Sequence, residues 1–129
     1  MIPAKFEYEV AESVDHAIEL LGSGKDAKLL AGGHSLLPLM RLRLARPELL
    51  VDIGRVSDLS YVREDGDAIA IGALTRYRDL ETSELLGAEC PIVAETAGLV
   101  GDPQVRYRGT IVGSVAHCDP ASAAPTILL

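Results

Sequence analysis

Tryptophan is absent from this 129-residue chain, and one phenylalanine and four tyrosines are its whole aromatic complement. A surface that stacks nucleobases is built on aromatic rings, so that class of partner is excluded. The core must then come from Leu, Val, Ile and Ala, as in α/β or α+β packing. Positive charge is also short: 12 Lys and Arg stand against 19 Asp and Glu, a formal charge of −7. Bulk attraction to nucleic acid or an anionic membrane is therefore not expected, and an anionic ligand needs a local backbone site. The only cysteines, Cys90 and Cys118, show no C-x-x-C spacing, so neither a zinc site nor a disulfide framework is expected and both read as buried thiols. No apolar run approaches the ~18 residues of a membrane span. The stretch Met1-Ile2-Pro3-Ala4-Lys5-Phe6-Glu7 carries charge where a signal peptide needs apolar residues. A cytoplasmic protein with no integral membrane segment is expected.

What the chain does contain is concentrated in two stretches. The first is Leu29-Leu30-Ala31-Gly32-Gly33-His34-Ser35-Leu36-Leu37-Pro38, where a short apolar run stops at two glycines and a Pro-containing apolar segment begins. It reads as strand, tight turn and helix. Glycines permit φ > 0 and close approach of backbone to a ligand, and Ser35 and Pro38 suit a helix start, where free N–H groups favour an anion. Phosphate or pyrophosphate is the natural ligand of such a turn, although most Gly-Gly turns bind nothing.

The second is Gly101 to Ser122. Here Thr110 and Ser114 bracket Gly113, with His117 and Asp119 just beyond. Hydroxyls and freed N–H groups on a turn offer a second phosphate contact.

Around these, Phe6 to Val10 alternates as a strand, and Ser13 caps a helix with Val14, Ala17, Ile18 and Leu21 on its inner face, ending at Gly22 and Gly24. Lys28 to Leu30 is a second strand, giving a β-α-β start with the Gly-Gly turn at a carboxyl end, where open α/β sheets bind ligands. Leu36 to Leu44 is helical or irregular, with Arg41, Arg43 and Arg46 reading as solvated or snorkelling rather than catalytic. Leu49 to Ile53 is almost wholly apolar and reads as a strand buried on both faces. Leu59 to Ile71 reads as a hairpin on an Asp-Gly turn at Asp65-Gly66, with Ile69 and Ile71 on one face. Thr75 caps a helix to about Thr82, with Tyr77 and Leu80 inward, and Pro91 opens another that Gly98 and Gly101 end. The switch from β-α-β to antiparallel hairpin near residue 55 predicts two lobes, 1–55 and 56–129.

Three motifs together carry a family resemblance: Ala-Gly-Gly-His-Ser at 31–35, Arg-Gly-Thr-Ile-Val-Gly-Ser at 108–114 and Ala-His-Cys-Asp-Pro at 116–120. With Arg-Leu-Arg-Leu-Ala-Arg-Pro at 41–47 and Ile-Gly-Ala-Leu-Thr at 71–75, the chain from Phe6 to Leu129 resembles the FAD-binding subunit of molybdenum hydroxylases. It is most like the medium subunit of aerobic carbon monoxide dehydrogenase, with the xanthine dehydrogenase flavin domain more distant. The resemblance implies an α+β, two-lobed FAD-binding domain of the vanillyl-alcohol oxidase / p-cresol methylhydroxylase type, its second lobe incomplete.

The resemblance also implies the cofactor-binding residues: Leu30, Ala31, Gly32, Gly33, His34, Ser35, Leu36 and Leu37 in the first loop, and Thr110, Ile111, Gly113, Ser114, His117 and Asp119 in the second. FAD then does the redox chemistry, so no side-chain catalytic dyad and no protein-bound metal are expected. The implied partners are a molybdopterin-binding large subunit and a 2Fe-2S small subunit, with electrons leaving to NAD or quinone. Three departures stand out. Val112 replaces the first glycine of the family's Thr-Ile-Gly-Gly-Ser, which is strained if that position needs φ > 0. Ala123 stands where an aspartate is common. The chain stops at Leu129, which would leave open sheet edges for homo-oligomerisation or partner capture. These departures favour a rival reading, a non-catalytic remnant or assembly module without FAD. A thiol centre at His117-Cys118-Asp119 is disfavoured because adjacent side chains point apart, and His34, His117 and Asp119 fit no metal-ligand spacing.

Overall fold

The computed structural model describes residues 1–128, which fall into two compact units, Met1–Ser57 and Asp58 onward.

The first unit is built on a three-stranded parallel sheet of β1 (Glu7–Val10), β2 (Ala27–Leu30) and β3 (Leu49–Asp52), with α1 (Val14–Leu21) and α2 (Leu36–Arg41) in the connections. The spatial order is β1-β3-β2. The β-α-β start is thus corrected in one respect: β1 and β2 do not pair, because β3 lies between them. Its three leading residues, Leu49, Leu50 and Val51, are all but fully buried, as a near-continuous apolar strand at the centre of a parallel sheet must be. Glu7 and Lys25 form an exposed ion pair, which screening leaves nearly neutral for stability.

Helix α1 starts as its sequence demands, with Ser13 Oγ accepting the His16 N–H at 3.1 Å, and stops at Gly22. Its inner face is narrower than the i, i+3, i+4, i+7 spacing suggests. Ala17 is buried, whereas Val14, Ile18 and Leu21 are exposed. The small Ala17 is the contact residue, and only Met40 among the α2 side chains is fully covered. The arginines after α2 are not simply solvated. Arg43 takes a left-handed φ of 59° and donates from Nε to the Ile2 carbonyl, and Arg46 Nε donates to the Arg43 carbonyl.

In the second unit β4 (Val62–Asp65) and β5 (Ala68–Ile71) pair as an antiparallel hairpin in which Asp65 faces Ala68. The two loop residues are therefore Gly66 and Asp67, not Asp65 and Gly66. Gly66 has φ 61° at the first loop position, as a type II′ turn requires. Six helices follow: α3 (Tyr77–Glu81), α4 (Glu84–Glu89), α5 (Pro91–Leu99), α6 (Pro103–Arg108), α7 (Ile111–His117) and α8 (Ala123–Ile127). Tyr77, Leu80, Leu86, Val93, Ala94, Ala97, Ile111 and Ala124 form their core, with Ile69 and Ile71 of the hairpin packed against it.

Thr75 is not the cap of α3. Arg76 occupies that position, its N–H donating to the Asp79 carboxylate at 3.2 Å. Thr75 is buried and its hydroxyl ties β4 down instead, donating to the Tyr61 carbonyl at 2.9 Å and accepting the Tyr61 N–H at 3.2 Å. Gly98 lies inside α5 rather than ending it. Helices α4 and α6 carry the caps that sequence rules favour, Ser83 on the Leu86 N–H and Asp102 on the Val105 N–H. Among the described residues no helix is long and apolar enough to cross a membrane.

Candidate functional site

The first loop hangs from the carboxyl end of β2, and its neighbour β3 fixes where it begins. Ile53, just past β3, donates its N–H to the Leu30 carbonyl at 3.1 Å. Asp52, level with Leu30 in the register, accepts the Tyr8 hydroxyl at 2.5 Å on one carboxylate oxygen and the Gly54 N–H at 2.7 Å on the other. That hydrogen bond to Asp52 holds the Tyr8 phenol above its ordinary pKa. The carboxyl end of β3 is thereby tied to both of its neighbours, to β1 through Tyr8 and to β2 through Leu30.

Beyond Leu30 the backbone turns sharply. Gly33 has φ 79°, a left-handed value that costs a side-chain-bearing residue strain. A Cβ there would sit 2.9 Å from Leu37 Cδ1 and 3.2 Å from Leu30 Cδ1, so the position also lacks room. The Gly33 carbonyl accepts the Leu37 N–H at 3.0 Å, which folds the loop onto α2. Among the described residues no protein acceptor meets the N–H groups of Ala31, Gly32, Gly33, His34, Ser35 and Leu36. Unpaired backbone donors next to a left-handed glycine are the kind of backbone that can receive an anion. Ser35 precedes α2, but its side chain makes no capping bond, so its hydroxyl also remains available. His34 and Leu37 are exposed, while Ala31, Gly32, Gly33, Ser35 and Leu36 are half-buried.

The second stretch is not a turn but the first turns of a helix. Thr110 is the N-cap of α7, with Oγ1 accepting the Gly113 N–H at 3.2 Å, and it is itself buried. A Cβ on Gly113 would stand 2.6 Å from that same Oγ1. The glycine thus lets the cap close, a requirement of space and not of φ. Val112 is free of strain as well, since Arg43 and Cys118 are the non-glycine residues with positive φ among those described. Ile111 buries its side chain in the core and offers a ligand nothing but backbone. Ser114 Oγ accepts the Tyr77 hydroxyl at 2.6 Å. Tyr77 is almost wholly buried, and burial pushes its phenol pKa up.

Replacing Thr110 by Ala should cost about 0.5–2 kcal/mol, the usual penalty for a lost N-cap. Urea unfolding checks this, and Thr110→Ser should restore most of the loss.

Past Ser114 the helix exposes His117 and ends at Cys118, whose φ of 55° and ψ of 39° form a left-handed cap. Cys118 is exposed and Cys90 half-buried, so neither is the buried thiol that composition suggests. A left-handed cap turns the chain outward, which explains the exposure. Asp119 is exposed too, and Oδ1 accepts the Ala121 N–H at 2.9 Å, closing a turn. Among the described residues no three His, Cys, Asp or Glu side chains converge on a point that could hold a metal ion. The residue that sequence reading missed is Tyr77, counted there as core alone. Its partner lies 37 positions away, beyond any local signal.

The donor set of the first loop is neutral, backbone N–H groups and the Ser35 hydroxyl around a glycine whose missing Cβ leaves space. Such a set fits a diffuse anion such as a pyrophosphate. Residues 4–129 match the family model described as the FAD binding domain in molybdopterin dehydrogenase. The chain is 52% identical over 128 residues to the carbon monoxide dehydrogenase medium chain of Hydrogenophaga pseudoflava, covering 98% of this chain and 45% of that one. It is 51% identical over 130 residues to the 6-hydroxypseudooxynicotine dehydrogenase complex subunit alpha of Paenarthrobacter nicotinovorans, covering 100% and 44%. A solved carbon monoxide dehydrogenase from Hydrogenophaga pseudoflava, lacking the Mo-pyranopterin moiety of its molybdenum cofactor, superposes with a TM-score of 0.93 at 54% identity over 97% of this chain and 44% of that chain. The chain thus spans a little under half the length of the relatives it matches. On the strength of a match from residue 4 to residue 129, it belongs to the family of FAD-binding domains of molybdopterin dehydrogenases.

Proposed function

We propose that this chain holds FAD as the flavin-binding portion of a molybdenum hydroxylase, with a molybdopterin-binding large subunit and a 2Fe-2S small subunit as partners. The observation that carries the reading is the run of six unpaired N–H groups from Ala31 to Leu36 around the left-handed Gly33. In this reading Leu30 to Leu37 receive phosphate oxygens on backbone donors and the Ser35 hydroxyl. Thr110, Ile111, Gly113 and Ser114 offer the start of α7, and His117 and Asp119 lie toward the flavin side. The fold is then the two-lobed type of vanillyl-alcohol oxidase, lobes 1–55 and 56–129, with open sheet edges available for self-association.

When bound, FAD supplies the redox chemistry, taking electrons from the partner centres and passing them to an acceptor. The residues of this chain bind and orient. Gly33 keeps the backbone close to the phosphates, Leu37 and Leu30 cover the glycine, and the Asp52 cross-links keep the strand ends in register beneath the loop. No side chain is required to move a proton.

The test is the visible spectrum of the purified chain before and after incubation with FAD and removal of the excess. Retained flavin absorbance is the expected result. A colourless chain that takes up no FAD favours the rival reading, a remnant that keeps the fold alone. That rival loses one of its supports here, because Val112 sits in ordinary helical backbone.

A further inference from the structure

Ser114 and Tyr77 share one hydrogen bond, and its direction decides what Ser114 can do. The two oxygens lie 2.6 Å apart, and each hydroxyl is able to donate or accept. Tyr77 is 4% exposed, on α3, with Gly109 against its ring: a Cβ on Gly109 would stand 3.2 Å from Tyr77 Cδ2. Among the described residues, Ser114 Oγ is the one side-chain or backbone oxygen that meets the phenol as acceptor. Were Ser114 to donate, the phenol proton would be buried without a partner, at the cost of an unsatisfied buried donor. The phenol therefore donates and Ser114 accepts. The Ser114 proton, thus excluded from the Tyr77 side, is left to point at whatever lies beyond.

We propose that Tyr77 is a positioning residue that sets Ser114 as a one-way hydrogen-bond donor toward an anionic ligand oxygen, a phosphate oxygen of FAD. The proposal rests on the functional reading above. Gly109 belongs to the same device: the absence of a side chain there lets the ring come close to the chain entering α7, while the Tyr77 N–H donates to the Gly109 carbonyl at 3.2 Å. The ring and the backbone bond together hold the phenol oxygen opposite Ser114. Without the phenol proton, nothing holds Ser114 Oγ in this rotamer, and its hydroxyl is free to turn back onto the Thr110 carbonyl, which already accepts the Ser114 N–H at 3.1 Å, and lose the outward bond.

The experiment compares wild type, Tyr77→Phe, Ser114→Ala and the double variant in the full-length chain, by equilibrium binding of FAD and of riboflavin, which lacks the phosphates. Tyr77→Phe keeps the ring and its packing, so a merely structural role would move the melting temperature and leave the discrimination between the two flavins unchanged. The expected result is an FAD affinity about fivefold weaker in Tyr77→Phe, the order of one hydrogen bond, with riboflavin binding unchanged. In the Ser114→Ala background Tyr77→Phe should have no further effect. Equal FAD binding by wild type and Tyr77→Phe overturns the proposal, as does a loss of the same size in the Ser114→Ala background. A wild-type chain that takes up no FAD overturns the functional reading and this proposal with it.

Discussion

Gly72→Ala should be the most damaging single substitution in the second unit, costing about 4 kcal/mol or more, in the range reserved for severe core disruption. Gly72 is buried directly after β5. A Cβ there would fall on the Leu59 carbonyl oxygen, 2.7 Å from its carbonyl carbon and 2.9 Å from Tyr61 Cδ1. Backbone cannot yield as a side-chain tip can. The segments that would part are joined by the Gly72 N–H on the Tyr61 carbonyl at 2.9 Å, the Leu74 N–H on the Leu59 carbonyl at 2.8 Å, and the two Thr75–Tyr61 bonds. Overpacking costs about 1–3 kcal/mol, and each backbone bond lost adds about 0.5–1.5 kcal/mol. Against a total stability of about 5–15 kcal/mol for a domain, that loss is a large fraction. Chemical denaturation of wild type and variant measures it; a change under about 1 kcal/mol would show that the close approach is not needed.

Gly33→Val should abolish cofactor uptake while leaving most secondary structure in place. Valine at φ 79° is among the least tolerated placements in a protein. Its Cβ would also press on Leu37 and Leu30, displacing the loop that presents the unpaired N–H groups. Hydrogen bonds to a charged partner are worth about 1.5–3 kcal/mol each. Losing two of them weakens FAD binding by about a hundredfold or more, at 1.4 kcal/mol per factor of ten. Gly24→Val is the control. It imposes the same kind of strain, φ 84°, but in open space with nothing within 4 Å of the added Cβ, so it should lower stability and spare FAD. Equal loss of FAD in both variants would assign the effect to general destabilisation. Binding titrations, with circular dichroism on each variant, separate the two.

The contrast between these glycines shows what the sequence could and could not disclose. Gly32-Gly33 was legible because its signal is local: an apolar strand, a break and a helix within ten residues. Leu49 to Val51 was legible for the same reason, since an unbroken apolar run admits few places other than the middle of a parallel sheet. Gly72 could be read only as part of a family likeness, because its physical reason is a carbonyl 13 residues earlier in the chain. Thr75 misled for a related cause. A hydroxyl before a helix is the ordinary cap signal, but its bonding is decided by Tyr61 across the sheet, and the cap falls to the next residue. The start of α7 was read as a turn because Gly113 suggested one, whereas the glycine serves Thr110's bond inside a helix. The sharp turn at Gly32-Gly33 was therefore available from sequence, while the bond between Tyr77 and Ser114 required the fold.

The order β1-β3-β2 has a consequence in time. Neither of the first two strands pairs with the other, so when β2 has left the ribosome there is still no sheet for it to join. Every interstrand bond of the first unit waits for Leu49 to Asp52 to arrive, and then both ladders can close on the same template. Sheet formation in the first unit waits for that unit's last strand, with pairings that span 42 residues on one side and 22 on the other. Non-local closure of this kind slows folding and lengthens exposure of unpaired edges. The leucines that make β3 the most buried strand of the unit thus also make it the step on which folding of the Gly32-Gly33 loop depends.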